Sequence, residues 1–554
     1  MGNGQELGGR GFDVLVIGGG INGVAIAREC ARQGKRILLL EQHDFGSGTT
    51  SRSTRIIHGG LRYLEMGEVG LVRESLRERE RLLRQMPHLV RPMQFLLLLP
   101  RPARSLLRSS LAIRTGLWLY HRWAGGKRDR VSDLASFEAQ LDAGQHWSIY
   151  SYQDAQCEFP ERLVAEWLSE SIDAGAVVRN HTQALEITRS NGRATGARLR
   201  DSISGQEYAV TATWVINATG PWADFLVNAS RISTPQMVGG MRGSHLVLPR
   251  WSGAPEQAVY TEASDGRQIF VLPWNKQVLV GSTEVMDTSD PGQIQPSPQE
   301  VEYLFNNLQR LFPACGLTRA DIRYTYAGIR PLPWAPGKRY SAITRKHVLH
   351  EHRADGAAGL ISVIGGKLTT AASLARDVAR KIGLALPEPA SVLAAPVTED
   401  DVAFVVRQWA RTVAMKAHIS ESCAQGVAEW HGRHALAVAH AASLDERLRE
   451  PICSHSCHLV AEAVEAVAQE SAITLGDILL RRVPVALGPC WSADCSREAA
   501  SRIGCALGWD SMRIGQELES FEEERRLFLH PQPKAASARG CDGVHQPPIN
   551  TEIA

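Results

Sequence analysis

Near the start of the chain a continuous apolar run, Phe12 to Ile17 with only Asp13 polar, breaks at once into Gly18-Gly19-Gly20-Ile21-Asn22-Gly23. A short apolar run bounded by glycine predicts a buried strand. Val24 to Gln33 then places small apolar residues at helical spacing, and Gly34 ends the helix. Arg36 to Leu40 is a second buried run that closes on Glu41. The pattern predicts a strand–helix–strand unit of about 30 residues.

Further along, residues 44–65 are rich in Gly, Ser and Thr and predict a loop. Residues 71–86 form an amphipathic helix with Glu and Arg at helical spacing. Met93 to Pro100 reads as a buried strand, far shorter than the roughly 20 apolar residues of a membrane-spanning helix. From about 150 to 350 short apolar runs alternate with Gly, Asn and Pro turns, predicting a mixed or antiparallel sheet. Trp214 to Asn217 ends in Ala218-Thr219-Gly220-Pro221-Trp222. Gly359 to Ile364 runs into Gly365-Gly366-Lys367-Leu368-Thr369-Thr370 and a helix to Leu384, again strand, glycine pair and helix start. Pro387-Glu388-Pro389 and Ala394-Ala395-Pro396 mark a linker. Beyond it, residues 400–415, 426–442, 458–470, 497–509 and 513–529 carry helical patterns. The tail, 531–554, is polar with Pro and Gly and is expected to be disordered. No internal repeat is visible.

Composition narrows the class. With 554 residues, 44% apolar and 22% charged, the chain is globular and long enough for two to four domains. A net charge of +2 gives no global basic field, so no nucleic-acid partner is expected. The N-terminus lacks a signal-peptide pattern, which predicts a cytoplasmic chain. Seven of the ten cysteines follow position 400. In a reducing compartment they read as free thiols. Cys453-x3-Cys457-His458 and Cys490-x4-Cys495 are not C-x2-C pairs, and the adjacent Cys457 and His458 aim in different directions on a helix, so no metal centre is expected.

Charge does concentrate once. Residues 101–130 hold eight basic side chains and one acid, Asp129, interleaved with leucines and with the aromatics Trp118, Tyr120 and Trp123. Such a segment suits an interfacial membrane helix. It equally suits a surface helix packed on the core with its arginines reaching solvent.

The opening unit carries the clearest chemistry. Gly18 permits the tight turn, Gly20 lets backbone N–H groups approach a pyrophosphate, and Gly23 lets helix and sheet pack closely. The helix N-terminus favours an anion. Glu41, 18 residues past Gly23, is placed for ribose hydroxyls and disfavours a 2′-phosphate, hence NADP. In the loop that follows, small polar residues can bond phosphate, and His58-Gly59-Gly60 brings backbone close to a ligand.

Several motifs in order then point to a family: VIGGGINGVAIA from Val16, RIIHGGLRYLE from Arg55, VINATGPWAD from Val215, GSHLVLP from Gly243, VLPW from Val271, VGSTEV from Val280, YAGIRPL from Tyr326 and ISVIGGKLTT from Ile361. With AITLGDILLRR from Ala472 and LGWD from Leu507, the chain resembles the FAD-dependent glycerol-3-phosphate dehydrogenases over about residues 12–528. These belong to the wider glycine- and D-amino-acid-oxidase-like flavoproteins.

The resemblance implies an α/β plus α fold. An FAD-binding Rossmann-like domain (10–90, 180–235, 345–385) would hold an inserted mixed or antiparallel substrate domain (91–179, 236–344), followed by a helical C-terminal domain (397–530). It implies FAD, bound at Gly18, Gly20, Asn22, Gly23, Glu41, Thr50, Ser51, His58, Gly60, Gly220, Gly365, Gly366, Leu368 and Thr369. It implies oxidation of sn-glycerol 3-phosphate to dihydroxyacetone phosphate with a quinone acceptor. It also implies a homodimer, and peripheral attachment to the inner face of the membrane through anionic lipids at 104–123.

A phosphate dianion calls for Arg forks or Lys charges. By position in the family's motifs, the resemblance implies Arg62, Tyr63, Arg330 and Lys367 as the substrate contacts. Arg330, Lys367, His58 and His245 are the expected catalytic groups, the two histidines being alternative bases. Oxygen as acceptor, or an amine or amino-acid substrate, are the competing readings. Arg52, Arg55, Glu284 and the stretch Pro333-Trp334-Ala335-Pro336 depart from the family pattern.

Overall fold

The computed structural model describes residues 7–65, 67–100, 110–124, 134–263, 265–337, 343–386 and 399–530. The expected linker, the expected disordered tail and the basic residues at 101–108 and 127–130 lie outside these.

The first sheet is built on the opening apolar run. Gly11–Ile17 pairs in parallel with Ile37–Leu40 on one side and Glu207–Asn217 on the other. Val177–Arg179 and Leu360–Ile364 extend it in parallel, and Val348–Glu351 closes one edge in the antiparallel sense. A hairpin, Thr182–Ser190 and Arg193–Asp201, joins the outer half of Glu207–Asn217. The central strands are buried on both faces, which is why they read as continuous rather than alternating apolar runs. The helices Ile21–Arg32, Pro160–Asp173 and Ala371–Lys381 pack on one face around Val14, Val16, Val24, Trp167 and Leu374.

The second sheet has nine strands and is mainly antiparallel, with one parallel pair, Val90–Pro100 beside Ala258–Glu262. Val238–Pro249 runs against Tyr324–Pro333, setting His245 opposite Tyr326 and Met241 opposite Arg330. The short strand Ile56–Ile57 crosses from the nucleotide side and pairs with Trp147–Cys157. Fold and sheets are thus mixed α/β, followed by a helical C-terminal region from Glu399 to Leu529.

In that region the pattern over 426–442 predicts one helix, but the chain forms two, Glu421–His431 and Ala435–Leu444. Gly432 takes φ +52° between them. The His88 ring fills the space its Cβ would need, 2.7 Å away. The left-handed φ of Gly432 ends the first helix, and the His88 ring packed against it leaves room for no larger residue there.

The C-terminal region is tied to the rest by buried ion pairs. Arg482 donates to Asp44 at 2.6 and 2.8 Å, and Arg481 also pairs with Asp44. Arg162 makes a two-pronged contact with Glu470 at 2.7 and 2.8 Å.

The helix Ser110–Ala124 resolves its two readings unevenly. Ile113, Leu117 and Tyr120 are buried against Val72 and Leu76, so most of its apolar stripe faces the core. Arg114 and Arg122 are exposed on the other side, with Trp118 55% exposed between them. Among the described residues no helix is long and apolar enough to cross a membrane.

Candidate active site

A cavity of about 1230 Å³ runs between the two sheets. Its floor at one end is the turn after Gly11–Ile17. Gly18 sits at φ +107°, and a Cβ there would lie 2.5 Å from Ala218 O. Gly23 lies beneath the turn rather than on the cavity wall; its Cβ would be 1.8 Å from Gly18 O. Gly20 faces the cavity and caps the helix Ile21–Arg32. The Ile21 N–H donates to Thr50 Oγ1 at 3.1 Å, which fixes the polar loop over the helix start.

Glu41 takes two backbone N–H groups, from Gly19 at 2.7 Å and His43 at 3.0 Å. Burial pushes its carboxyl above the ordinary range, opposed by these two donors. The carboxylate thus locks the strand end to the glycine turn while lining the cavity.

The third glycine segment comes from far along the chain. Asn22 Nδ2 donates to Gly365 O at 3.2 Å, across 343 residues of sequence. Gly366, at φ +92°, leaves room for that amide, 2.4 Å from where its Cβ would be. Asn22 Oδ1 is buried and has no hydrogen-bond partner. An orphaned acceptor above a helix N-terminus, walled by glycines and an acid, fits a dinucleotide with ribose and ribityl hydroxyls.

The other end carries the cations and histidines. Lys367 Nζ donates to Ser75 Oγ at 2.8 Å and lies 4.6 Å from the Tyr63 ring centre. Burial pushes the Lys367 ammonium down to about 8. The Tyr63 ring lies 6.1 Å from that of His58. Burial, then Lys367, hold the His58 imidazole down at about 4, against the pull of Asp154. The His58 backbone N–H donates to Thr369 Oγ1 at 3.1 Å. Next to it, the Gly59 N–H is taken by Tyr120 Oη at 2.9 Å and Asp154 Oδ1 at 3.2 Å.

Arg330 reaches the cavity from the second sheet. Its guanidinium bonds Ser282 Oγ and Thr283 O, and stands 3.9 Å from Glu284 Oε1. It crosses Gly243, where a Cβ would be 2.7 Å from Nη2. His245 is hydrogen-bonded through Nε2 to Thr54 Oγ1 at 2.9 Å and stacks on Tyr326 with ring centres 4.8 Å apart. Burial, reinforced by Arg330, holds its imidazole well below the usual histidine range.

Of the residues singled out from sequence, Gly18, Gly20, Asn22, Glu41, Thr50, Ser51, His58, Gly60, Tyr63, Gly220, His245, Arg330, Gly365, Gly366, Lys367, Leu368 and Thr369 all line this one cavity. The side chain of Arg62 lies outside the described atoms; its backbone opens the short helix Arg62–Glu65. Periodicity and spacing alone do not reveal Thr54, Ser282 or Arg345, which come from separate segments. Only the motif around Val280 pointed near Ser282. Nor do they reveal that Arg481, Glu524 and Phe528 of the C-terminal region form part of the wall.

A parallel sheet with a glycine cradle and Lys367 beside it, facing a second sheet that supplies Arg330 and His245, defines a flavin-dependent oxidoreductase. The family described as FAD dependent oxidoreductase matches residues 13–380, and the C-terminal domain of alpha-glycerophosphate oxidase matches 364–514. The chain is 36% identical over 550 residues to a glycerol-3-phosphate dehydrogenase of Synechocystis sp., covering 94% of this chain and 98% of that one. It is 36% identical over 380 residues to the aerobic glycerol-3-phosphate dehydrogenase of Escherichia coli, covering 67% of this chain and 73% of the other. The X-ray structure of the glycerol-3-phosphate dehydrogenase from Bacillus halodurans, complexed with FAD, matches the fold at a TM-score of 0.75 and 23% identity, covering 97% of this chain and 98% of that one. The chain belongs to the glycerol-3-phosphate dehydrogenase family of FAD-dependent oxidoreductases, and its cofactor is FAD.

Proposed function

We propose that this chain oxidises sn-glycerol 3-phosphate to dihydroxyacetone phosphate and passes the electrons to a membrane quinone. The observation that carries the reading is the gathering, on one cavity, of two cations, Arg330 and Lys367, with two histidines that burial keeps neutral, His58 and His245. FAD, when bound, supplies the hydride acceptor for C2.

The chain's own part is binding, orientation and proton handling. Arg330 presents a guanidinium held by Ser282 Oγ and Thr283 O, a fixed fork for a phosphate or substrate oxygen. Lys367 adds a charge braced by Ser75 and Tyr63. His58 takes the hydroxyl proton. No ring hydrogen bond engages it among the described residues, whereas His245 Nε2 is committed to Thr54. A neutral imidazole accepts that proton as the alcohol becomes a ketone.

Quinone as acceptor is supported by Trp118 standing exposed between Arg114 and Arg122 on the helix Ser110–Ala124, an arrangement that suits an anionic lipid surface. The test is an anaerobic titration of the flavin absorbance with sn-glycerol 3-phosphate, followed by a soluble quinone analogue. Bleaching, then recovery on adding quinone, is the expected result. A flavin that stays oxidised would overturn the substrate. Recovery with oxygen but not with quinone would overturn the acceptor.

A further inference from the structure

We propose that His350, His352 and Asp355 form a binding site for a divalent first-row transition ion of the Zn2+ type, separate from the flavin cavity. His350 lies near the end of the edge strand Val348–Glu351, and the chain turns just beyond it. The His352 N–H donates to Leu360 O at 3.1 Å and its carbonyl accepts the Ala357 N–H at 2.9 Å, closing a tight turn around Asp355. Residues two apart on a strand face the same way, so the two imidazoles converge. Their ring centres are 4.5 Å apart.

The donor atoms meet at one point. His350 Nε2 is 2.7 Å and His352 Nδ1 is 2.9 Å from Asp355 Oδ2. All three donors lie within 4.8 Å of one another. Ligands about 2.0–2.1 Å from a tetrahedral ion stand roughly 3.3 Å apart, so small side-chain adjustments open the site.

A second observation points the same way. The His352 side chain is fully buried, yet Nδ1 has no hydrogen-bond partner of acceptable geometry. Its other nitrogen, Nε2, is 2.8 Å from Ser362 Oγ, which in turn accepts Asn217 Nδ2–H at 3.1 Å. If Nε2–H donates to Ser362, the Nδ1 lone pair is left aimed at the Asp355 carboxylate, an arrangement that a cation between them relieves. Metal-bound histidines are oriented by just such an outer hydrogen bond.

Two imidazoles and one carboxylate select a borderline ion over Mg2+ or Ca2+, which favour all-oxygen shells. The His350 side chain is 33% exposed and that of Asp355 13%, leaving an open side for water ligands and for entry. None of the three residues lines the flavin cavity.

The test uses tag-free, flavin-loaded protein dialysed against Zn2+ alone, with bound metal counted by mass spectrometry. Wild type should hold one Zn2+ per chain more than the His350→Ala/Asp355→Asn variant, with affinity at the site falling at least about tenfold. The wild type's thermal midpoint should rise with Zn2+ and the variant's should not. Both replaced side chains are partly exposed, and an unchanged flavin-to-protein ratio checks that the variant folds. Equal Zn2+ in both proteins would overturn the proposal and direct attention to thiols such as Cys453 and Cys495. So would the absence of bound Zn2+ in the wild type.

Discussion

Lys367 holds its ammonium 4.6 Å from the centre of the Tyr63 ring, on the cavity that both residues line. A charge braced in this way and pushed down to about 8 by burial titrates close to neutrality. The kcat/KM for an anionic substrate should therefore fall as pH rises through about 8. Lys367→Arg should move that falling limb upward. Lys367→Met should remove the limb and lower kcat/KM by about 10²-fold. Stability should move in the opposite sense. The folded state releases the proton near 8 and the unfolded chain near 10.5, so stability rises with pH across that window. Rate profiles together with pH-dependent melting check both signs, and a flat rate profile would take Lys367 out of substrate binding.

The glycine cradle should discriminate between neighbouring positions. A methyl at Gly23 would meet Gly18 O at 1.8 Å, whereas one at Gly20 meets only Thr50 Oγ1 at 3.4 Å. Gly23→Ala should yield protein without flavin or no folded protein. Gly20→Ala should keep the fold and much of the flavin. Gly20→Val should fold and lose it. The flavin-to-protein absorbance ratio of purified variants decides the matter.

The exposed side of the helix Ser110–Ala124 should govern membrane attachment. Trp118→Ala with Arg114→Glu and Arg122→Glu removes an interfacial aromatic and reverses two charges, each basic residue being worth about 1 kcal/mol near an anionic surface. Sedimentation with anionic vesicles should fall, while flavin reduction in detergent stays unchanged. Undiminished sedimentation would place the contact elsewhere.

Glu470 should make the C-terminal attachment sensitive to acid. Arg162 pulls its buried carboxyl down to about 2 against the cost of burial, so the stability it contributes is present above about 4.5 and lost as pH falls towards 2. Glu470→Gln removes the nearer of Arg162's carboxylates and leaves Glu166 at 3.6 Å, and should cost up to about 3 kcal/mol. Denaturant melts at pH 7 and pH 4 would show the gap between wild type and variant narrowing in acid.

The nucleotide half was readable because its signal is local. The turn from Gly18 to Gly23 and the acid at Glu41 sit within one strand–helix–strand unit, and there Glu41 bonds the Gly19 N–H. The substrate side is assembled differently. Arg330, Ser282, Thr54 and Lys367 come from four segments whose spacing carries no period, so only the resemblance of their motifs singled out Arg330 and Lys367. Periodicity also gave no warning that the helical pattern over 426–442 would break at Gly432. The basic helix was open to two readings along the chain, and which surface its apolar stripe meets is decided by the distant segments that arrive.

The wall that Arg481, Glu524 and Phe528 contribute has a consequence for how the protein is made. The nucleotide fingerprint leaves the ribosome first and the last pieces of its enclosure leave at the very end. Until residues 481–528 have been synthesised and docked through Asp44, the pocket is open on that side. A chain that lacked them would carry the glycine cradle intact and leave the cavity without this part of its wall.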